Sequence, residues 1–117
     1  RNQAGIAAAE IRLRQAEMQV QAVRTDLLLR LMESYRTFGA AQDRVRVYQE
    51  EILPKAQKAL DQTNEGYRLG KFGYLDVLDA QRTLADSTKA LTAALADLNL
   101  AASDLETLTG MRLETVR

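Results

Sequence analysis

Two carboxylates three residues apart, Asp76 and Asp79, are the side chains whose spacing most suggests chemistry. On a helix this spacing places both on one face, where carboxylates attract cations. They do not form a catalytic pair, because the sequence places no nucleophile near them. The alternative is that both complement the positive end of a helix dipole.

The composition removes most other kinds of site. The chain contains no cysteine and no histidine, which excludes thiol nucleophiles, histidine bases, disulfides and the common soft metal sites. Met18, Met32 and Met111 lie too far apart for a thioether site, so we interpret them as core residues. Sixteen basic and sixteen acidic residues cancel, and no bulk field draws the chain to nucleic acid. We therefore expect no enzyme activity, no cofactor, no metal site and no nucleic-acid partner.

Glycines mark where the helix carrying these carboxylates begins. Gly66, Gly70 and Gly73 fall within eight positions, and glycine tolerates the positive φ that ends a helix. We predict a helix over about 3–69, a tip at 70–73 and a second helix over about 74–109. Asp76 would then lie in the first turn of the second helix, and Gly110 would end that helix. Residues 111–117 carry too little pattern to assign.

Apolar residues recur every seven positions along both predicted helices. The first series slips by four at Leu27 and passes Pro54 undisturbed, which predicts one helix kinked near Pro54, with a short break just before it as the alternative. The first series reads Ile6, Leu13, Val20, Leu27, then Leu31, Phe38, Val45, Ile52, Ala59 and Gly66. The second reads Val77, Leu84, Leu91, Leu98 and Leu105.

The two series agree on one antiparallel register. Val45 with Leu98 and Ala59 with Leu84 both sum to 143, and the midpoint falls between Lys71 and Phe72. The fold class is therefore all-α, a long antiparallel coiled-coil hairpin, with arm 1 at 1–69 and arm 2 at 74–110. This register leaves residues 1 to about 30 without a partner in the chain. No run is apolar enough to span a membrane and no signal peptide is present, so we interpret the chain as a fragment of a larger protein.

The segment Y-R-L-G-K-F-G-Y-L-D-V-L-D-A-Q-R-T-L at 67–84, followed by D-L-E-T-L-T-G at 104–110, resembles the second repeat of TolC-like outer-membrane efflux proteins, nearest to the heavy-metal and cation efflux branch. The resemblance implies one periplasmic hairpin of a trimeric channel for heavy metals or drugs in the Gram-negative envelope. It also implies docking to a membrane-fusion adaptor, an indirect partnership with an inner-membrane pump, and membrane contact only through β-barrel segments that are missing here.

The resemblance also assigns roles to residues of the tip. The adaptor-docking positions it implies are Leu69, Gly70, Lys71, Phe72 and Gly73. The entrance or gate positions it implies are Tyr67, Asp76 and Asp79. Phe72 stands where the best-known member of the family has an arginine of the closed-state latch, so it would instead pack against an adaptor tip or another hairpin. Apolar packing below the turn is the alternative for Tyr67.

Two other functions fit the same helices. In a self-standing coiled-coil scaffold or oligomerisation module, the tip would be only a turn. In the α-hairpin of a periplasmic adaptor, the chain would form the opposite side of the same junction. Adaptor hairpins are flanked by β segments, and no strand pattern occurs in this sequence.

Overall fold

The computed structural model describes residues 2–110, and these residues form a single helical hairpin. Helix α1 spans Gln3–Val47, a π-helical turn spans Tyr48–Ile52, helix α2 spans Leu53–Arg68 and helix α3 spans Tyr74–Thr109. No strand occurs in this part of the chain. The molecule is a rod measuring 102 × 24 × 14 Å. The predicted all-α hairpin is confirmed.

A narrow apolar seam holds the two arms together. Its main cluster contains Val45 and Leu98, which are only 5% and 6% exposed, with Ala41, Ala94 and Ala101. Phe38, Tyr48, Leu91 and Leu95 pack around this cluster. Small residues in the cluster let the helices approach closely. The burial of Val45 and Leu98 in one cluster agrees with the predicted register.

The disturbance expected near Pro54 is a π-helical turn. Ile52 and Leu53 both keep helical φ and ψ, so the alternative of a short break before Pro54 is wrong. The Leu53 N–H donates to the carbonyl of Tyr48, five residues earlier. A proline ring clashes with the carbonyl four residues before it in an α-helix, and the wider turn relieves that clash.

The π-helical turn also shifts the seam by one residue. Ala59 was predicted to face Leu84, but Ala59 is exposed and Leu60 is half-buried in its place. The seam positions on this arm recur every four residues, at Tyr48, Ile52, Ala56 and Leu60. They span twelve residues over three turns, whereas three turns of an α-helix contain about eleven residues. The turn thus absorbs one extra residue.

The ends of the arms differ in their packing. Gly110 ends α3 with φ +70°, and its N–H donates to the Glu106 carbonyl at 2.7 Å, which confirms its predicted role. Residues 3–30 of α1 are exposed, as the register requires. Met18 and Met32 lie 66% and 53% exposed, so their interpretation as core residues is wrong.

Met18 lies in the part of α1 that no other helix of residues 2–110 covers, whereas Met32 lies beside α3 but on the exposed side of α1. The expectations for Met111 and for the 111–117 tail fall outside the described residues. None of the helices in the described part is long and apolar enough to cross a membrane.

Candidate functional site

The hairpin tip is built by a hydrogen-bonded turn that requires glycine at one position. Gly70 has φ +74°, and its N–H donates to the Tyr67 carbonyl at 3.0 Å. The Lys71 N–H donates to the Gly66 carbonyl at 2.7 Å, five residues earlier. These two bonds form a Schellman motif, which satisfies the last carbonyls of α2 and reverses the chain. Gly70 therefore does what the sequence predicted for a turn glycine.

Gly66 has a different structural role from Gly70. It is buried in the last turns of α2, and the ring of Phe72 folds back over it. A β-carbon at Gly66 would overlap ring atoms of Phe72. The Phe72 N–H also approaches the Gly66 carbonyl at 3.3 Å. Phe72 is therefore fixed by its own hairpin on one side and remains 49% exposed on the other.

Helix α3 begins at Gly73 and is capped by Asp76. The Asp76 Oδ2 accepts a hydrogen bond from the Gly73 N–H at 2.8 Å, and the Asp76 N–H donates to the Gly73 carbonyl. A carboxylate in the first turn also faces the positive end of the helix dipole. Gly73 contributes only its backbone, because glycine has no side chain to complete a capping box. The alternative weighed from sequence was that both carboxylates complement the helix dipole, and the position of Asp76 in the first turn of α3 fits that alternative.

Among residues 2–110, the carboxylate of Asp79 makes no hydrogen bond to the backbone comparable to that of Asp76. It is exposed one turn further along α3, and only its carbonyl is used, accepting from the Thr83 hydroxyl at 2.9 Å. The two carboxylates therefore differ in environment although they lie three residues apart. Their role at a channel entrance stays a prediction.

Tyr67 and Tyr74 lie on opposite sides of the turn and meet across it. Their ring centroids are 6.1 Å apart, with the planes tilted by 55°, a favourable aromatic geometry. Tyr67 is 48% exposed and Tyr74 is 61% exposed. Sequence reasoning considered Tyr67 but missed Tyr74. The predicted register does not pair the two tyrosines, so no periodic signal in the sequence pointed to their contact.

The outer surface of the tip is apolar. We define the tip surface by five residues, Leu69, Lys71, Phe72, Tyr74 and Leu75. Leu75 is 74% exposed and Leu69 is 58% exposed, high values for leucines beside a helix packing seam. Exposed apolar groups gathered at one end of a rod are typical of a contact surface for another protein. Leu75 was not among the residues singled out from sequence.

The tip brings together all the residues that the sequence predicted for docking or for the entrance, because they fall within one stretch at 67–79. It offers no site for a metal ion. Among residues 2–110, no group of three or more acidic, histidine or cysteine side chains is arranged to hold one. Arg68 is paired with Glu65 at 3.1 Å within α2. The tip surface is therefore mainly apolar and weakly charged.

Comparison with known proteins gives two similarities. The sequence model of the family described as outer membrane efflux protein matches residues 1–111. The cobalt-zinc-cadmium resistance protein CzcC of Cupriavidus metallidurans is 29% identical over 110 residues, which cover 94% of this chain and 26% of that protein. This chain thus spans about a quarter of the length of that relative. No solved structure matches the chain.

Proposed function

Because this chain belongs to the outer membrane efflux protein family, we propose that it forms one periplasmic α-helical hairpin of an outer-membrane efflux channel. Its tip would line the periplasmic entrance and dock a membrane-fusion adaptor protein. The family consists of efflux proteins, not of enzymes. A family match that covers residues 1–111 argues against an adaptor hairpin and an unrelated scaffold.

The apolar tip surface is the observation that carries the docking proposal. Leu69 and Leu75 lie on either side of the turn, and neither is needed to hold the hairpin together, since both are mostly exposed. At Gly70 a hypothetical β-carbon meets no atom within 4 Å, so the turn has open space in front of it. A partner can approach the backbone closely at such a position.

The long exposed face of α1 supports a place in a larger helical wall. Ile6, Leu13, Val20 and Leu27 are each more than half exposed, and they recur at heptad spacing. Helices with such a stripe bury it against other helices. Further helices of the same channel, in a homotrimer with two hairpins per protomer, would supply that cover.

The exported substrate is proposed to be a divalent metal cation. The name of the similar Cupriavidus protein refers to cobalt, zinc and cadmium. The exposed carboxylates of Asp76 and Asp79, repeated in three protomers, would favour cations at an entrance. Asp76 also caps α3, whereas the carboxylate of Asp79 has no capping role in the described structure. An inner-membrane pump would supply the energy and would contact this hairpin only indirectly.

The docking proposal is tested by Gly70→Arg in the full-length protein. A long charged side chain would fill the open space in front of the turn, and we expect efflux to be lost while the trimer still assembles. The positive φ complicates this variant, because an arginine is strained in the left-handed conformation by about 1 kcal/mol.

Gly70→Asn is the matched control, since asparagine tolerates the left-handed conformation and is short. We expect it to retain efflux. Efflux is measured as metal tolerance of cells, and assembly by size on native gels. Normal efflux in the Gly70→Arg protein, or equal loss in both variants, would refute the docking role.

A further inference from the structure

The uncovered part of α1 continues the packing pattern of the seam. Leu31 and Ser34 lie beside α3, since each lines a cleft that also includes Leu108. Apolar residues before them fall on the same side of the helix, three or four residues apart, and all are exposed: Ile6, Ala9, Leu13, Ala16, Val20, Val23 and Leu27. We call this set the α1 stripe. It has the form of one half of a coiled-coil seam.

A second copy of the α1 stripe can cover the first only when the two helices run in opposite directions. A parallel copy would continue past Leu27 into the space that α3 occupies beside Ser34. An antiparallel pair has a register in which large residues lie against smaller ones. This register places Leu27 opposite Ala9, Val20 opposite Ala16 and Leu13 opposite Val23 of the second copy. Large residues facing small ones let two helices interdigitate.

The charged residues that flank the α1 stripe are complementary in this register. Glu10 comes beside Arg24 of the second copy, and Arg12 comes beside Asp26 of the second copy. Two-fold symmetry repeats both pairs, so the interface contains attractive contacts on both of its sides. Asp26 also pairs with Arg30 of its own helix at 2.9 Å, and the other oxygen of its carboxylate can accept from the second copy. Opposite charges at such flanking positions determine the orientation of paired helices.

Registers displaced by one heptad are less favourable in either direction. In one direction Glu10 would lie beside Glu17 of the second copy, and symmetry would repeat this repulsion. In the other direction Ile6 would lie level with Thr37 of the second copy, where α3 already covers the helix. The favoured register has one repulsive contact, because the two copies of Glu17 meet at the symmetry axis. Charge and steric fit therefore select a single arrangement.

We propose that two copies of this chain pair through the α1 stripe, antiparallel and two-fold symmetric, with Leu27 of each copy against Ala9 of the other. Each α1 then lies on the other copy in line with its α3. In the proposed channel other helices would cover the same stripe, so the pair is the form of the chain outside the channel. That consequence rests on the proposed function, whereas the pairing itself does not.

Charge reversal tests the register, with sedimentation equilibrium of the 117-residue chain as the measurement. We expect a dimer, and expect Arg24→Glu to raise its dissociation constant roughly tenfold, because two attractive contacts become repulsive. Adding Glu10→Lys restores opposite charges and should bring the constant back to within about threefold. Arg14→Glu is the matched control, since Arg14 lies away from the stripe. An unmodified chain that stays monomeric or forms larger assemblies, or equal weakening by Arg24→Glu and Arg14→Glu, would overturn the proposal.

A second experiment measures the direction of pairing. Because the chain has no cysteine, single cysteines for spin labels can be placed at Ala8 and at Gln15, which lie one heptad apart on the same face of α1. In the antiparallel pair, the two labels are about 30 Å apart along the axis at residue 8 and about 9 Å apart at residue 15. Equal distances at the two positions would indicate parallel helices and overturn the proposal. Neither experiment depends on efflux, so the pairing and the channel are tested separately.

Discussion

The ring of Phe72 occupies the space where a β-carbon of residue 66 would have to lie. This contact joins the last turns of α2 to the link that follows the helix. It explains why residue 66 is a glycine although only Gly70 has positive φ near the turn. The conformation of the tip thus depends on residue 66 having no side chain, as well as on the hydrogen bonds of the turn.

Gly66→Ala should therefore destabilise the hairpin by about 1 kcal/mol. Displacing the half-buried Phe72 ring costs about 2 kcal/mol of apolar burial, and alanine returns about 1 kcal/mol of helix propensity. The free energy of unfolding from denaturant titration measures the change. In a Phe72→Ala background the same substitution should become stabilising by about 1 kcal/mol. The same sign in both backgrounds would contradict the contact.

Leu98→Asp should unfold much of the hairpin, because it places a carboxylate in the cluster that contains Val45. We expect a loss of at least about 3 kcal/mol and a large loss of helical circular dichroism. Leu100→Asp is the control on the same helix, since Leu100 is 66% exposed. Unchanged helicity in the Leu98→Asp chain would refute the register of the two arms.

Asp76→Ala should cost about 1 kcal/mol, because it removes the carboxylate that accepts from the Gly73 N–H. Asp79→Ala should change stability by less than about 0.5 kcal/mol, since its exposed carboxylate caps nothing in the described structure. Thermal melts of the two variants give the comparison. If instead both variants melt alike, the capping role assigned to Asp76 is wrong.

Asp97→Asn should have almost no effect on stability. Asp97 and Arg44 form an ion pair between the arms at 3.5 Å, with side chains 58% and 60% exposed. Exposed pairs of this kind contribute less than about 0.5 kcal/mol and weaken as salt is added. Melts at low and high ionic strength check this estimate, and a large, salt-independent loss would show that the pair is more shielded than its exposure indicates.

The helix limits and the antiparallel register could be predicted because their signals are local or periodic. Gly70 marks the turn through its backbone freedom, and heptads such as Val45 and Leu98 mark the seam. The π-helical turn could not be predicted in this way, since its form depends on how the helix accommodates Pro54. The position of Leu60 at the seam, where Ala59 was expected, follows from that turn.

The tip was predicted less completely than the arms. The link runs from 69 to 73, one residue longer than the predicted tip at 70–73. The packing of Phe72 on Gly66 and the contact of Tyr67 with Tyr74 depend on how the chain doubles back. Such contacts arise between residues six or seven apart across a reversal, and no helical or strand period connects them. The exposure of Leu75 likewise depends on which way the first turn of α3 faces.

Because residues 3–30 of α1 are not covered by another helix, the melting temperature of the chain should depend on what binds to this stretch. A helix stabilised mainly by packing is only marginally ordered where nothing lies against its apolar stripe. Any binding that covers the stripe raises the apparent melting temperature by mass action. The melting temperature of the separate chain should therefore rise with its own concentration, whereas a fully self-contained hairpin would melt at one temperature at every dilution.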